Sequence, residues 1–193
     1  MEINLKRPLI FIDLETTGIN VATDRIIEIC MIKVHPDGSQ ETMTQRINPT
    51  IPIAQEAFEV HGISQDDVKN EPTFAEMAST FSNFIGNSDL SGYNAIKFDI
   101  PLLVEEFLRA NVDLDLKNRR IVDVQNIFHK MEPRNLAAAY KFYCNKELEN
   151  AHSAEADTIA TLEILKSQLD MYKDTEYKDK DGQVTVPVVN DIA

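Results

Sequence analysis

The sequence predicts an α/β domain in which an antiparallel meander of three strands is followed by strands alternating with helices. Three observations carry this. Apolar runs over 8–14 and 26–35, the second closed by the turn Pro36-Asp37-Gly38-Ser39, read as adjacent strands. Beyond them lie segments of helical period with cap and stop residues, separated by short apolar runs. At 193 residues, 43% of them hydrophobic, the chain can bury one good core and not two. One domain over 1–172 and a polar C-terminal tail over 173–193 are therefore expected.

The first strand, Pro8 to Leu14, runs into Asp13-Leu14-Glu15-Thr16-Thr17-Gly18. Side chains alternate along a strand, so Asp13 and Glu15 share one face while Leu14 turns toward the core. Ile26 to His35 forms the second strand and Glu41 to Asn48 the third. Pro52 to Val60 reads as a helix that stops at His61-Gly62. Thr73 opens a clearer helix, with Glu76 completing a capping box and Gly86 as the stop. Phe74, Met77, Ala78, Phe81, Phe84 and Ile85 make its buried face.

Leu90 to Asn94 is a short strand that leads through Phe98-Asp99 into a helix over Ile100 to Ala110, where Pro101 suits the first turn. Ile121 to Val124 ends another strand, with Asp123 beside a helix from Gln125 to Lys130. A further helix follows near Asn135 to Tyr143, and the last runs from Ser153 to Tyr172. In the tail, Val184 to Val189 has the character of an edge strand.

Composition narrows the function. No run approaches the roughly 20 apolar residues that cross a bilayer, and the opening residues lack the apolar core of a signal peptide. A soluble cytoplasmic protein without a membrane partner is expected. Cys30 and Cys144 lie in apolar surroundings without metal-ligand spacing, which predicts buried, reduced thiols. The net charge of −13 argues against a phosphate-binding surface, yet segment 117–146 carries seven Lys and Arg against two acids. Such a segment is either one phosphate-facing side or ordinary solvated helix surface. Nothing in the composition reports an oligomeric interface.

Two carboxylates as close as Asp13 and Glu15 repel unless a cation sits between them, and hard divalent ions prefer carboxylate oxygen. The spacing alone proves little, because Asp174-Thr175-Glu176 repeats it in the polar tail. Only the first copy ends a buried strand and precedes a glycine turn. Asp99 stands at the mouth of a helix and has an alternative reading as its N-cap. His152 precedes the last helix and Asp157 lies about one turn inside it, although His61 and Asp66 repeat that spacing too.

Taken together these motifs resemble the DEDDh 3′→5′ exonucleases of the ribonuclease H-like superfamily, over roughly Pro8 to Tyr172. The first motif matches Asp13 to Gly18, the second Asn94 with Phe98-Asp99, and the third His152 through Asp157. Val60-His61-Gly62-Ile63 resembles the family's His-Gly segment. The spacing from Asn94 to Phe98 is one residue longer than in many proofreading subunits and is similar to exonuclease I.

The resemblance implies a mixed central sheet, antiparallel meander plus parallel strands, flanked by helices. It implies two divalent ions, Mg²⁺ or Mn²⁺, with Asp13 bridging both, Glu15 and Asp157 at one, and Asp99 supporting the other. His152 would be the general base, completing the catalytic set Asp13, Glu15, Asp99, His152 and Asp157. Leu14, Thr16, Thr17, His61, Asn94 and Phe98 would bind substrate, through main-chain amides and packing against bases. The implied partners are the 3′ end of single-stranded nucleic acid, DNA over RNA, and a DNA polymerase or repair complex. Asp123 is taken as a cap or supporting group. The rival expectations are an exoribonuclease, a non-catalytic module that binds nucleic-acid ends, and an acidic scaffold whose carboxylates are caps.

Overall fold

Strand β1, Leu9–Thr16, alternates as its sequence dictates: Leu14 is buried, whereas Asp13 is exposed and Glu15 half-buried. It pairs antiparallel with β2, Ile26–Val34, which pairs antiparallel with β3, Gln40–Arg46. This computed structural model describes residues 4–149 and 151–173, together with the backbone at 177–178 and 184–185. The chain divides into two compact units, one ending at Phe128 and the next beginning at His129.

In the first unit the meander is extended by β4, Asp89–Gly92, and β5, Ile121–Asp123. Both join in parallel, giving the order β3-β2-β1-β4-β5. β4 accompanies β1 only from Leu9 to Phe11, whereas the pairing with β2 continues to Thr16. The acidic end of β1 therefore projects past its parallel neighbour.

Ile10, Ile12 and Leu14 pack against helix α3, Phe74–Ile85, and helix α4, Asp99–Arg109, in a single apolar core. Phe74 and Phe107 meet edge to face, ring centroids 5.1 Å apart. α3 begins and ends where its signals stand: Thr73 and Glu76 form a reciprocal capping box and Gly86 closes the helix. α1, Gln55–His61, stops at Gly62 in the left-handed region, φ 71°. Short α2, Gln65–Val68, was not foreseen. It too begins in a capping box, Ser64 with Asp67.

Helix α5, Val124–Met131, follows β5. In the second unit α6, Leu136–Cys144, packs on α7, Ala154–Tyr172, through Tyr140, Ala160 and Ile164. The Tyr140 hydroxyl donates to Glu163 at 2.7 Å and Lys146 pairs with the same carboxylate. A two-residue antiparallel ladder, β6 Tyr177–Lys178 with β7 Val184–Thr185, gives the tail some strand. The remainder of the expected strand, 186–189, lies outside the described residues. Both cysteines are free thiols but only half-buried, a correction to the expectation of full burial. Cys30, on the face of β2 away from the core helices, accepts from Thr44.

Candidate active site

Asp13, Glu15 and Asp99 come together in the first unit at the end of β1. The register shifts immediately after Glu15, so that Glu15 pairs with Glu28 while Thr16 pairs with Ile26. Such a bulge re-aims the chain, and here it turns β1 into the Thr16-Thr17-Gly18 loop. Burial pushes the Glu15 carboxyl upward, and the charges of Asp13 and Glu28 add to this against the opposing effect of His61.

Asp99 is more strongly perturbed. It is the first residue of α4, not the cap: Phe98 holds the N-cap position and makes no side-chain cap bond. The Asp99 side chain turns inward and the residue is 7% exposed. Its carboxyl is pushed up to about 6, chiefly by burial and then by the Asp13 and Asp123 charges, although its own amide and that of Leu14 hold it down. A buried acid beside another carboxylate is at odds with its surroundings unless positive charge is supplied.

Asp123 has the opposite environment. Burial raises its carboxyl, but main-chain amides of Asn94, Ile96, Gln125 and Asn126 donate to it at 3.0 to 3.4 Å, and the net shift is downward. It clamps the β4–α4 turn to the start of α5, which agrees with its reading as a cap or support. That turn contains Asn94 in the left-handed region, φ 61°. It also requires Gly92, where a Cβ would come within 2.8 Å of the Ile12 carbonyl oxygen.

The loop after Glu15 is closed from within. Thr17 donates its hydroxyl to Asp24 at 2.8 Å and its amide to the Arg25 carbonyl at 2.9 Å. Thr17, expected to bind substrate through its amide, uses both of its donors to shape the loop. Arg109 secures the far side, donating to the Ala22 and Asp24 carbonyls and pairing with buried Glu106.

A pocket of about 570 Å³ opens beside the acidic strand end. Leu14, Glu15, Thr16, His61 and Phe98, all expected to be functional, line it, and Ile19, Asp24, Ala54 and Val60 join them. Asn94 is not part of this lining. His61 Nδ1 accepts from the Ile63 amide at 3.0 Å, which places the ring proton on Nε2. That Nε2 is buried and has no hydrogen-bond partner among the described residues. Ile19 was missed because one apolar residue in a loop carries no periodic signal, while Val60 stood next to His61 in the quoted segment.

In the second unit, His152 is exposed and left-handed, φ 76°, two residues before α7. Asp157 lies in the first turn of that helix, and its Oδ1 is buried without a hydrogen-bond partner among the described residues. Within the first unit the donors at the end of β1 are carboxylate oxygens, with Asp99 shifted upward; within the second, Asp157 is unsatisfied. Both features fit a hard divalent cation. Asp13, Glu15 and Asp99 do not by themselves close into a three-ligand cage.

Comparison with known proteins finds relatives of this chain. The family model described as "Exonuclease" matches residues 10–165. The DNA polymerase III subunit epsilon of Treponema pallidum is 30% identical over 169 residues, spanning 81% of this chain and 74% of that protein. A PolC-type DNA polymerase III of Clostridium perfringens is 31% identical over 160 residues, which is 80% of this chain but 11% of that protein. The chain thus spans about a tenth of that PolC-type relative. Among solved structures, E. coli exonuclease I in complex with a dT13 oligonucleotide superimposes with a TM-score of 0.60 at 19% identity, covering 87% of this chain and 43% of that one. That likeness bears out the ribonuclease H-like α/β fold.

Proposed function

Since the chain belongs to the exonuclease family, we propose that it removes nucleotides from the 3′ end of single-stranded nucleic acid, DNA in preference to RNA, releasing nucleoside 5′-monophosphates. One observation carries this reading. The acidic end of β1 opens beside a pocket whose walls are apolar at Leu14, Ile19, Val60 and Phe98 and polar at Glu15 and His61. Such walls suit a terminal base and sugar, because base stacking on apolar and aromatic side chains tolerates any sequence.

Asp13, Glu15, Asp99 and Asp157 are the residues proposed to hold two divalent ions, Mg²⁺ or Mn²⁺. When bound, such ions neutralise the phosphodiester and lower the pKa of water. His152 takes a proton from the attacking water as the oxygen bonds to phosphorus, and the bond from phosphorus to the 3′ oxygen of the preceding nucleotide breaks. His61 Nε2–H is a donor available to the bound terminal nucleotide. The exposed, left-handed position of His152 suits a group that must reach a proton in transit rather than pack. The polymerase names of the relatives support a proofreading or repair setting. Among the described residues no helix is long and apolar enough to cross a membrane.

The test uses single-stranded DNA, single-stranded RNA and a mismatched duplex, each labelled at the 5′ or the 3′ end, with Mg²⁺ or Mn²⁺. Stepwise shortening with release of 5′-monophosphates from the 3′ end, abolished by chelation and by Asp13→Asn, is the expected result. Loss of label from the 5′ end, or undiminished cleavage in excess chelator, overturns the reading. His152→Ala should lower kcat by at least 10²-fold while leaving Mn²⁺ affinity within about threefold.

A further inference from the structure

The sheet face that presents Asp13 and Glu15 continues as an ordered row across the meander. Glu15 on β1 stands directly opposite Glu28 on β2, and Glu28 stands opposite Arg46 on β3. Directly opposed residues on one face of an antiparallel pair have Cβ atoms about 4.5–5.5 Å apart, and like charges so placed are unfavourable. Arg46 meets that difficulty, donating from Nε to Glu28 Oε2 at 3.2 Å. The register slips directly after Glu15, so this is the last regular rung before the loop.

The neighbouring rung is Asp13, Cys30 and Thr44, with no further formal charge on its β2 or β3 members. Glu28 and Arg46 are therefore the charges that the meander itself sets across from the acidic pair. As an isolated ion pair they would matter little: the side chains are 29% and 44% exposed, and pairs so exposed add little to stability. Their position makes them more than that.

We propose that Glu28 and Arg46 are a positioning pair for Glu15, with Glu28 keeping the Glu15 carboxylate off the β2 side and Arg46 limiting the negative charge that Glu28 adds. Together they set the cation affinity of the Asp13–Glu15 end of the strand. This rests on the proposed function, in which those two carboxylates bind a divalent ion. Neither Glu28 nor Arg46 touches the ion; Glu28 acts through the position of Glu15, and both act through the charge they place near that carboxylate.

The consequence is a pair of changes of opposite sign. Glu28→Gln removes a negative charge near the ion and Arg46→Met a positive one, and at this range each should move a divalent dissociation constant about three- to tenfold. A merely structural pair behaves differently, since both substitutions break the same contact.

The experiment titrates Mn²⁺ into the full chain by calorimetry, without nucleic acid and at fixed pH and ionic strength. The expected Kd rises about three- to tenfold in Glu28→Gln, falls by a similar factor in Arg46→Met, and stays at the parental value in Arg46→Lys. Far-UV circular dichroism checks that each variant is folded. Dissociation constants within twofold of the parent, or moving in the same direction for both charge-removing variants, overturn the inference. Parental binding with unmoved variants defeats it alone, whereas a parent that binds no Mn²⁺ defeats the proposed function with it.

Discussion

Asp99 and Asp123 are both buried carboxylates in the first unit, and their surroundings drive them in opposite directions. Asp123 meets four main-chain amides, which hold it ionised despite its burial. Asp99 has fewer amides and a neighbouring carboxylate, and its carboxyl rises to about 6. One is a structural clamp; the other is desolvated beside a second carboxylate.

For Asp99 the sign follows from linkage. Its folded value lies above the ordinary 3.8, so its contribution to stability is fully present below that value and is lost as pH rises through about 6. In chelator, Asp99→Asn should therefore be more stable than the parent at pH about 7.5, by up to about 3 kcal/mol, and nearly equal to it at pH about 4. Thermal unfolding at both pH values measures this, and a variant no more stable at the higher pH would contradict it.

Asp123 predicts the reverse. Asp123→Ala leaves four amides without their acceptor and should cost about 2–4 kcal/mol in denaturant unfolding. Asp123→Asn keeps one carbonyl acceptor and should cost less. The ranking Ala worse than Asn, read from urea midpoints, is the check.

Gly92 and Gly62 separate two uses of glycine. An added Cβ at Gly92 meets the Ile12 carbonyl oxygen and the Ala95 side chain, and the former is backbone that cannot swing aside. Gly92→Ala should cost about 1–3 kcal/mol and displace the strand end that carries Asp13. At Gly62 there is open space but φ is 71°, so Gly62→Ala should cost only about 1 kcal/mol of backbone strain. A clearly larger loss at position 62 than at 92 would refute this comparison.

His61 should act on binding more than on turnover. His61 lines the pocket and its buried Nε2 has no hydrogen-bond partner among the described residues, so His61→Phe should raise KM for single-stranded oligonucleotide about threefold or more while kcat changes less. Loss of the Nδ1 acceptor for Ile63 should lower stability by about 1 kcal/mol. Steady-state kinetics over a range of oligonucleotide concentrations divides the two effects.

Much of this was legible in the sequence because its signals are local. The capping box of Thr73 and Glu76, the stops at Gly62 and Gly86, and the alternation of Asp13, Leu14 and Glu15 each depend on residues within a few positions. Thr17 was less legible: its amide and hydroxyl are taken by Arg25 and Asp24, seven or eight residues on, and no spacing rule joins them. The pocket draws on segments 14–24, 54–61 and 98, and Ile19 carries no period that could announce its place there.

By itself, then, the sequence determined the elements other than α2, the acidic strand end and the shared face of Asp13 and Glu15, because periodicity and caps act between near neighbours. Only the tertiary structure decided that Asp99 is desolvated while Asp123 is clamped, that Glu28 faces Glu15, and that His61 borders a pocket. Burial, strand register and the charge felt at a carboxylate are summed over residues far apart in the chain, and no local pattern carries that sum.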